Sequence, residues 1–191
     1  MAKARRPMTY YCKLDKTEII TNQGGRNLEF FALKPDASKL KGNYDREFIQ
    51  KNMSIQGIKV RFGPVLPQGT KATGYPVGKY GFVIDKFKDA VFTLKVNDNP
   101  VFTWKGSELL GTVKSRTVVA GSSVYTYHTQ AENAYRVFKD MGKAKPIEVT
   151  EKDLVKVTCD LPSTLTTTDV PNDFTITCYL LTDSEYQTFV G

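Results

Sequence analysis

Residue types that could do acid–base or metal chemistry are sparse in this chain of 191 residues. The single histidine, His128, stands beside Tyr127 without further ligands at metal-binding spacing, and we predict that it lies at the surface or at the entry to a helix. No P-loop, dinucleotide fingerprint, Gly-x-Ser-x-Gly turn or His-Glu-x-x-His helix occurs. We therefore expect no enzyme, no metal and no cofactor. An enzyme of sugar or nucleotide chemistry stays an alternative, because carboxylates far apart in sequence can converge in a cleft of a β protein.

Three cysteines, Cys12, Cys159 and Cys178, are odd in number and far apart in sequence. Cys159 and Cys178 each fall inside an alternating apolar pattern, which is typical of a strand whose cysteine faces a core. The sequence therefore predicts reduced, buried thiols in preference to a disulfide.

Positive charge is the clearest chemical feature, with a net charge of +7. Basic residues exceed acidic ones by seven over residues 1–64 and by four over residues 65–128, whereas acidic residues are in excess by four in the remainder. Such asymmetry indicates either a surface that faces phosphates or a solvated basic face that keeps the protein soluble. We predict nucleic-acid contacts from basic residues of the N-terminal part, namely Lys3, Arg5, Arg6, Lys13, Lys16 and Arg26.

Residues 1–9 lack an apolar period, and Lys3, Arg5 and Arg6 stand before Pro7. We predict that this segment is a short, mobile basic arm and that residues 10–191 form a single β-sandwich domain. Paired aromatics follow in two places, Tyr10 with Tyr11 and Phe30 with Phe31. They could stack on bases, but aromatic pairs in strands more often divide between the core and cross-strand contacts.

Apolar residues alternate with polar ones along most of the chain, which predicts about nine strands and an all-β protein. The runs lie at residues 18–21, 28–33, 54–62, 80–87, 91–96, 101–105, 117–127, 153–161 and 174–181. The pair around Asn97-Asp98-Asn99-Pro100 reads as a hairpin at or near a sheet edge, because proline cannot donate to a central ladder. Trp104 lies in this hairpin and is predicted either in the core or as an interface anchor.

Helix signals are few. Thr129 and Glu132 form a capping-box pattern ahead of a predicted helix that ends near Gly142, and a shorter helix is predicted over residues 46–53. The Gly- and Pro-rich stretch 63–81 reads as a long loop, either functional or a plain surface excursion. No apolar run is long enough to span a membrane, and no apolar signal segment follows the basic start.

Three stretches together resemble a known family. They are "DLVKVTCDLPSTLTTTDVPNDFTITCYLLTDSEYQTFVG", with two alternating strands around a Thr-rich connection, "REFIQKNMSIQGIKVRFGPVLPQG", with basic residues on the outer face of a strand, and the basic start "MAKARRP". This pattern resembles the single jelly-roll capsid proteins of small icosahedral viruses. The resemblance implies an antiparallel jelly-roll β-sandwich with one or two short inserted helices. The start is shorter than arms that condense a genome, so either basic strand faces share that task or packaging occurs elsewhere.

The expectation that follows is a structural viral capsid protein that self-assembles into an icosahedral shell, with the arm facing nucleic acid. Its partners would be copies of itself and genomic nucleic acid, with no membrane span, and its location the virion or, before assembly, the host cell interior. The alternative is a non-enzymatic nucleic-acid-binding β-barrel, such as a single-strand binder or a viral accessory protein. Carbohydrate- or protein-binding modules also remain open, because fold alone does not fix function.

Overall fold

The part of the chain that the structure describes contains two four-stranded antiparallel sheets and a separate two-stranded hairpin. The computed structural model describes residues 4–22, 26–32, 41–44, 52–63, 77–110, 113–120, 123–130 and 146–186. Within these ranges the strands are β1 (Ala4–Asp15), β2 (Asn27–Phe30), β3 (Met53–Gly63), β4 (Val91–Val96), β5 (Asn99–Lys105), β6 (Val113–Ala120), β7 (Ser123–Gln130), β8 (Ile147–Val149), β9 (Val155–Asp160) and β10 (Thr175–Tyr186). The helices are α1 (Lys16–Thr21), α2 (Val77–Lys88) and α3 (Gly106–Leu109).

Strand order is β1-β10-β3-β8 in one sheet and β2-β9-β4-β5 in the other, while β6 and β7 form a separate hairpin. One apolar core includes buried side chains of both four-stranded sheets, among them Leu14 and Leu180 from the first and Phe92 and Val157 from the second. The prediction of an all-β antiparallel sandwich is thereby confirmed.

Pairing between strands is nested along the chain. β1 pairs with β10, β2 with β9, β3 with β8, and β4 with β5. Two further pairings, β10 with β3 and β9 with β4, join these pairs into the two sheets. The first and last strands of the sandwich are therefore neighbours. Moving inward along the chain from both ends, each next strand on the N-terminal side pairs with the next strand on the C-terminal side.

The hairpin β4–β5 lies at the edge of its sheet, as the sequence predicts. Its turn is shorter than expected, because Asn97 and Asp98 alone form it and Asn99 and Pro100 already belong to β5. Asn97 and Asp98 have φ of 51° and 63°. This left-handed backbone fits the right-handed twist of a two-residue hairpin, and Asn and Asp tolerate it better than most residues.

Two segments predicted as strands are helices. Residues 18–21 belong to α1, where the Asp15 side chain accepts from the Glu18 N–H and the Glu18 carboxylate accepts from the Asp15 N–H. This capping box begins a helix directly after β1. Residues 80–87 belong to α2, in which Val83, Ile84 and Phe87 are buried. Their spacing of one and four residues places them on one helical face, so the helical period outweighs the alternation.

The two helices predicted from capping signals fall mostly outside the described residues, and their described ends are in strands. Met53, the last residue of the second one, begins β3. Thr129, the expected cap, is in β7 opposite Lys114. Residues 131–141 of that prediction, 46–51 of the second one and 64–76 of the predicted loop lie outside the described residues. The run 117–127 is two strands, because β6 ends at Ala120 and β7 begins at Ser123. No helix in the described ranges is long and apolar enough to cross a bilayer.

The mobile arm predicted for residues 1–9 is wrong from residue 4 onward. Residues 4–9 begin β1 and pair in register with β10, from Ala4 opposite Tyr186 to Thr9 opposite Leu181. Backbone pairing holds this segment although its side chains lack an apolar period, because a ladder needs only N–H and C=O groups. Pro7 is tolerated since β1 is an edge strand of its sheet.

Candidate nucleic-acid interface

The outward face of the sheet β1-β10-β3-β8 collects basic and aromatic side chains. Alternation along β1 buries Tyr10, Cys12 and Leu14 in the core, so Tyr11 and Lys13 point away from it. The same alternation on β3 buries Ile58, Val60 and Phe62 and turns Lys59 and Arg61 outward.

Strand register brings these outward residues into rows across the sheet. In one row Tyr11 lies opposite Tyr179, and Tyr179 lies opposite Lys59. The rings of Tyr11 and Tyr179 have centroids 6.3 Å apart with planes inclined by 40°. The Lys59 Nζ lies 5.6 Å from the centroid of the Tyr179 ring, within the range of a cation–π contact.

The next row contains two cations. Lys13 lies opposite Thr177, and Thr177 lies opposite Arg61. Arg61 is exposed and Lys13 is partly exposed. We call Tyr11, Lys13, Lys59, Arg61 and Tyr179 the basic-aromatic face.

Acidic residues are kept off the outward positions of these rows. The outward positions 9, 11 and 13 on β1, 177, 179 and 181 on β10, and 57, 59 and 61 on β3 carry no Asp or Glu. The nearest acids on these strands have other partners: Asp15 at the end of β1 contacts Lys41, and Asp183 accepts from Gln56 Nε2. Within the described strands, the two rows of the basic-aromatic face therefore carry three cations, Lys13, Lys59 and Arg61, and no carboxylate.

The outward face of the second sheet differs, because its charges are mixed. Lys156 Nζ lies 2.5 Å from Asp98 Oδ1 and 3.6 Å from Glu29 Oε1. The Asp98 partner raises the pKa of Lys156, and Lys156 in turn lowers the pKa of Asp98. Opposite charges therefore neutralise each other at this place on the second sheet.

A partly exposed group of three charged side chains, Lys41, Asp15 and Glu18, supports β1 beside the basic-aromatic face. Lys41 Nζ lies 3.1 Å from Asp15 Oδ2 and 2.8 Å from Glu18 Oε1. Desolvation opposes the charge on Lys41, but the bonds to the two carboxylates outweigh it and raise its pKa. For Asp15, desolvation is likewise outweighed, by the Glu18 N–H and by Lys41, and its pKa is lowered.

Of the basic residues that the sequence predicts and the structure describes, only Lys13 lies in the basic-aromatic face. Arg5 is on the same strand, and its Nη1 lies 3.0 Å from Glu148 Oε2 on β8, the opposite edge strand of the sheet. Arg6 is exposed and its backbone pairs with that of Ser184.

The remaining predicted residues are elsewhere. Lys16, at the start of α1, donates to Asn172 Oδ1 at 2.9 Å. Arg26 precedes β2 in the other sheet, where its carbonyl accepts from the Leu161 N–H. Lys3 lies outside the described residues. Lys59 and Arg61 were missed as site residues because their closeness to Lys13 depends on β10, which is distant in sequence.

Aromatic residues divide as strand alternation requires. Tyr10, Phe30 and Phe31 are buried in the core, and only Tyr11 of the four considered for stacking faces outward. Trp104 is 3% exposed and stacks on Phe102 with ring centroids 5.5 Å apart. It is therefore a core residue, with little surface to offer as an interface anchor, because it alternates inward with Phe102 on β5.

The predicted free, buried state of Cys12, Cys159 and Cys178 is confirmed. Burial raises the pKa of each thiol. Among the described residues, no group of three or more His, Cys, Asp or Glu side chains is arranged to hold a metal ion. His128 lies in β7 opposite Ser115.

No protein-family model matches the chain, and neither does any curated protein or solved structure. Its function is inferred from its own strand pairing and from the basic-aromatic face.

Proposed function

We propose that the protein is a viral capsid protein whose β-sandwich is a jelly roll and which self-assembles into a closed icosahedral shell around nucleic acid. The observation that carries this proposal is the nested strand pairing. It is supported by the three cations of the basic-aromatic face, Lys13, Lys59 and Arg61, which lie in adjacent rows on the outward side of one sheet.

The nested pairing supports the jelly roll in the following way. Omitting the hairpin β6–β7, the eight strands of the sandwich pair first with eighth, second with seventh, third with sixth and fourth with fifth. This is a long antiparallel ribbon of four strand pairs. Successive pairs lie in opposite sheets, as they must when such a ribbon is rolled into two Greek keys, which is the jelly-roll arrangement of capsid, lectin and cupin domains.

Charge favours a capsid protein over the other users of this fold. A shell protein needs one surface that tolerates a dense array of phosphates, and the basic-aromatic face supplies cations there without acidic neighbours in its rows. The acidic excess of the C-terminal third can meet the basic part of a neighbouring copy. Repetition of one such contact with rotational closure generates a symmetric shell.

In this role the protein has no catalytic task and needs no cofactor. Its partners are copies of itself and the packaged nucleic acid. It would reside in the host cell interior before assembly and in the virion afterwards.

A second candidate is a nucleic-acid-binding β protein that acts without forming a shell. The specific observation in its favour is that Tyr11 and Tyr179 lie among cations on an outward face, as in proteins that bind single strands. The two candidates differ in assembly and share the binding surface.

Assembly can be measured by multi-angle light scattering and negative-stain electron microscopy of the purified chain, at low salt and at about 1 M salt, where surface electrostatics are screened. Closed particles of uniform diameter, at least at one salt concentration, are the expected result. A monomer or dimer under every condition would reject the shell and leave the second candidate.

A further inference from the structure

We propose that the basic-aromatic face binds single-stranded nucleic acid, with bases stacking on Tyr179 and Tyr11 and phosphates contacting Lys13, Lys59 and Arg61. This inference rests on the proposed function for nucleic acid as the ligand. It adds the form of that ligand and the residues that contact it.

The layout of the face suits a polymer with alternating rings and charges. One row offers two tyrosine rings and Lys59, and the row beside it offers Lys13 and Arg61. Adjacent outward rows are two residues apart along each strand, about 7 Å, and neighbouring strands are about 4.8 Å apart. Rings and cations are therefore close enough to engage neighbouring groups of one extended strand.

The tyrosines are what select a single strand. In a duplex the base faces are stacked inside the helix, so a protein ring on a sheet can reach only phosphates and sugars. In a single strand the base faces are free, and stacking on aromatic side chains adds binding energy without requiring a sequence. A sheet that only bound phosphates would need lysine and arginine, and no outward tyrosine rings.

The contact between Lys59 and the Tyr179 ring supports this inference. Lys59 Nζ already lies over the Tyr179 ring, and Tyr11 lies beside the same ring. These contacts orient the Tyr179 ring before any ligand arrives, which lowers the side-chain entropy lost on binding.

The test measures fluorescence anisotropy of three labelled probes with the full chain: a 20-nucleotide oligo-dT, a 20-nucleotide oligo-rU and a 20-base-pair DNA duplex. The variants are Tyr179→Leu, Tyr179→Phe, Tyr11→Leu and the double change Lys59→Gln with Arg61→Gln. The control is Lys86→Gln with Lys88→Gln, which removes the same charge from α2. Thermal unfolding of each variant checks its fold.

We expect Tyr179→Leu to weaken binding of the single strands about tenfold and to leave duplex binding within about twofold, since stacking acts on free bases. Tyr179→Phe keeps a ring and should restore most of the affinity. The double change at Lys59 and Arg61 should reduce the slope of log affinity against log salt by about 1.4 on single strands, a change that the α2 control should not show. The two single-stranded probes report whether DNA or RNA is preferred.

Equal losses on single strands and duplex, or none on either, would overturn the inference. If Tyr179→Leu unfolds the protein, two other variants test stacking. Tyr11→Leu removes the second ring, and Tyr179→Phe keeps a ring at residue 179 without its hydroxyl group. Light scattering on the same samples separates the two proposals. Shells without a tyrosine-dependent preference for single strands would reject this inference alone, and the preference without shells would reject the proposed function alone.

Discussion

Cys12 on β1 and Cys178 on β10 lie directly opposite each other in an antiparallel pair. The Lys13 N–H donates to the Lys41 carbonyl and the Tyr11 N–H to Asn43 Oδ1, both at the outer edge of β1. The backbone groups of Cys12 therefore face β10, which makes this a hydrogen-bonded pair. In such pairs the Cβ atoms lie farther apart than the roughly 3.8 Å that a disulfide requires.

We expect the thiols to stay reduced even under oxidising conditions. Geometry opposes a disulfide between Cys12 and Cys178, and burial raises the pKa of all three thiols, which suppresses the reactive thiolate. After incubation with oxidised glutathione, a thiol reagent should find no reactive cysteine in the native protein and three in denaturant. A disulfide seen by mass spectrometry would contradict this account.

Gly106, the first residue of α3, packs where no side chain fits. A Cβ there would collide with the Phe87 carbonyl, and the Gly106 N–H donates to the Ala90 carbonyl at 2.7 Å. We expect Gly106→Ala to lower the free energy of unfolding by about 1–3 kcal/mol, as overpacking does. Gly81→Ala in α2 is the matched control, because a Cβ there meets nothing within 4 Å. It should stabilise the protein by about 0.5–1 kcal/mol, and denaturant titration measures both.

Lys41 links the segment 41–44 to β1 and α1 through its ion pairs with Asp15 and Glu18. We expect the stabilisation from these ion pairs to be lost both in acid and in alkali. The pKa of Lys41 is raised and that of Asp15 is lowered on folding. The stabilisation is therefore present between about pH 4 and pH 10.4, is lost in acid as Asp15 protonates below its unfolded pKa, and is lost in alkali as Lys41 deprotonates. Lys41→Met should flatten the pH dependence of the unfolding free energy at both ends. If the unfolding free energy of Lys41→Met depended on pH in the same way as that of the unchanged protein, this role of Lys41 would be contradicted.

The hairpin turn β4–β5 is attached to the segment before β9 through Asn97. Its Nδ2 donates to Asp153 Oδ1 at 2.6 Å, and its Oδ1 accepts from the Leu154 N–H at 2.8 Å. Hydrogen bonds from the Thr150 N–H and the Asn97 amide lower the pKa of Asp153, so this attachment should weaken as pH falls below about 4.

Two variants separate the contributions at Asn97. Asn97→Gly removes the side-chain bonds but accepts the positive φ, and should cost about 1–2 kcal/mol. Asn97→Ala removes the same bonds and adds left-handed strain, for about 1 kcal/mol more. Equal unfolding free energies for the two variants would mean that the backbone at residue 97 is not strained.

Strands in which apolar and polar residues alternate without interruption are predictable from the sequence. Helices whose short apolar runs also suit a strand are not. Ile58, Val60 and Phe62 alternate without interruption and lie in β3. Glu18 was missed as a helix residue although Asp15 and Glu18 have capping-box spacing, because the short apolar pair Ile19-Ile20 suits a strand equally well. Val83, Ile84 and Phe87 hold the helical spacing that overrides alternation in α2.

The candidate site was only partly within reach of the sequence. Lys13 was identified from the basic N-terminal part, and basic residues on the outer face of the 54–62 strand were visible from alternation. Their assembly into one face depends on β10 lying between β1 and β3. That strand order depends on pairing between segments far apart in sequence, and neither local propensity nor charge predicts such pairing.

The most direct test of the account is a cryo-electron microscopy reconstruction of particles assembled from the purified protein with a single-stranded oligonucleotide. We expect a closed icosahedral shell in which Lys13, Lys59 and Arg61 face the interior and lie against nucleic-acid density. A shell with the basic-aromatic face turned to the outside, or no closed particle at all, would contradict it.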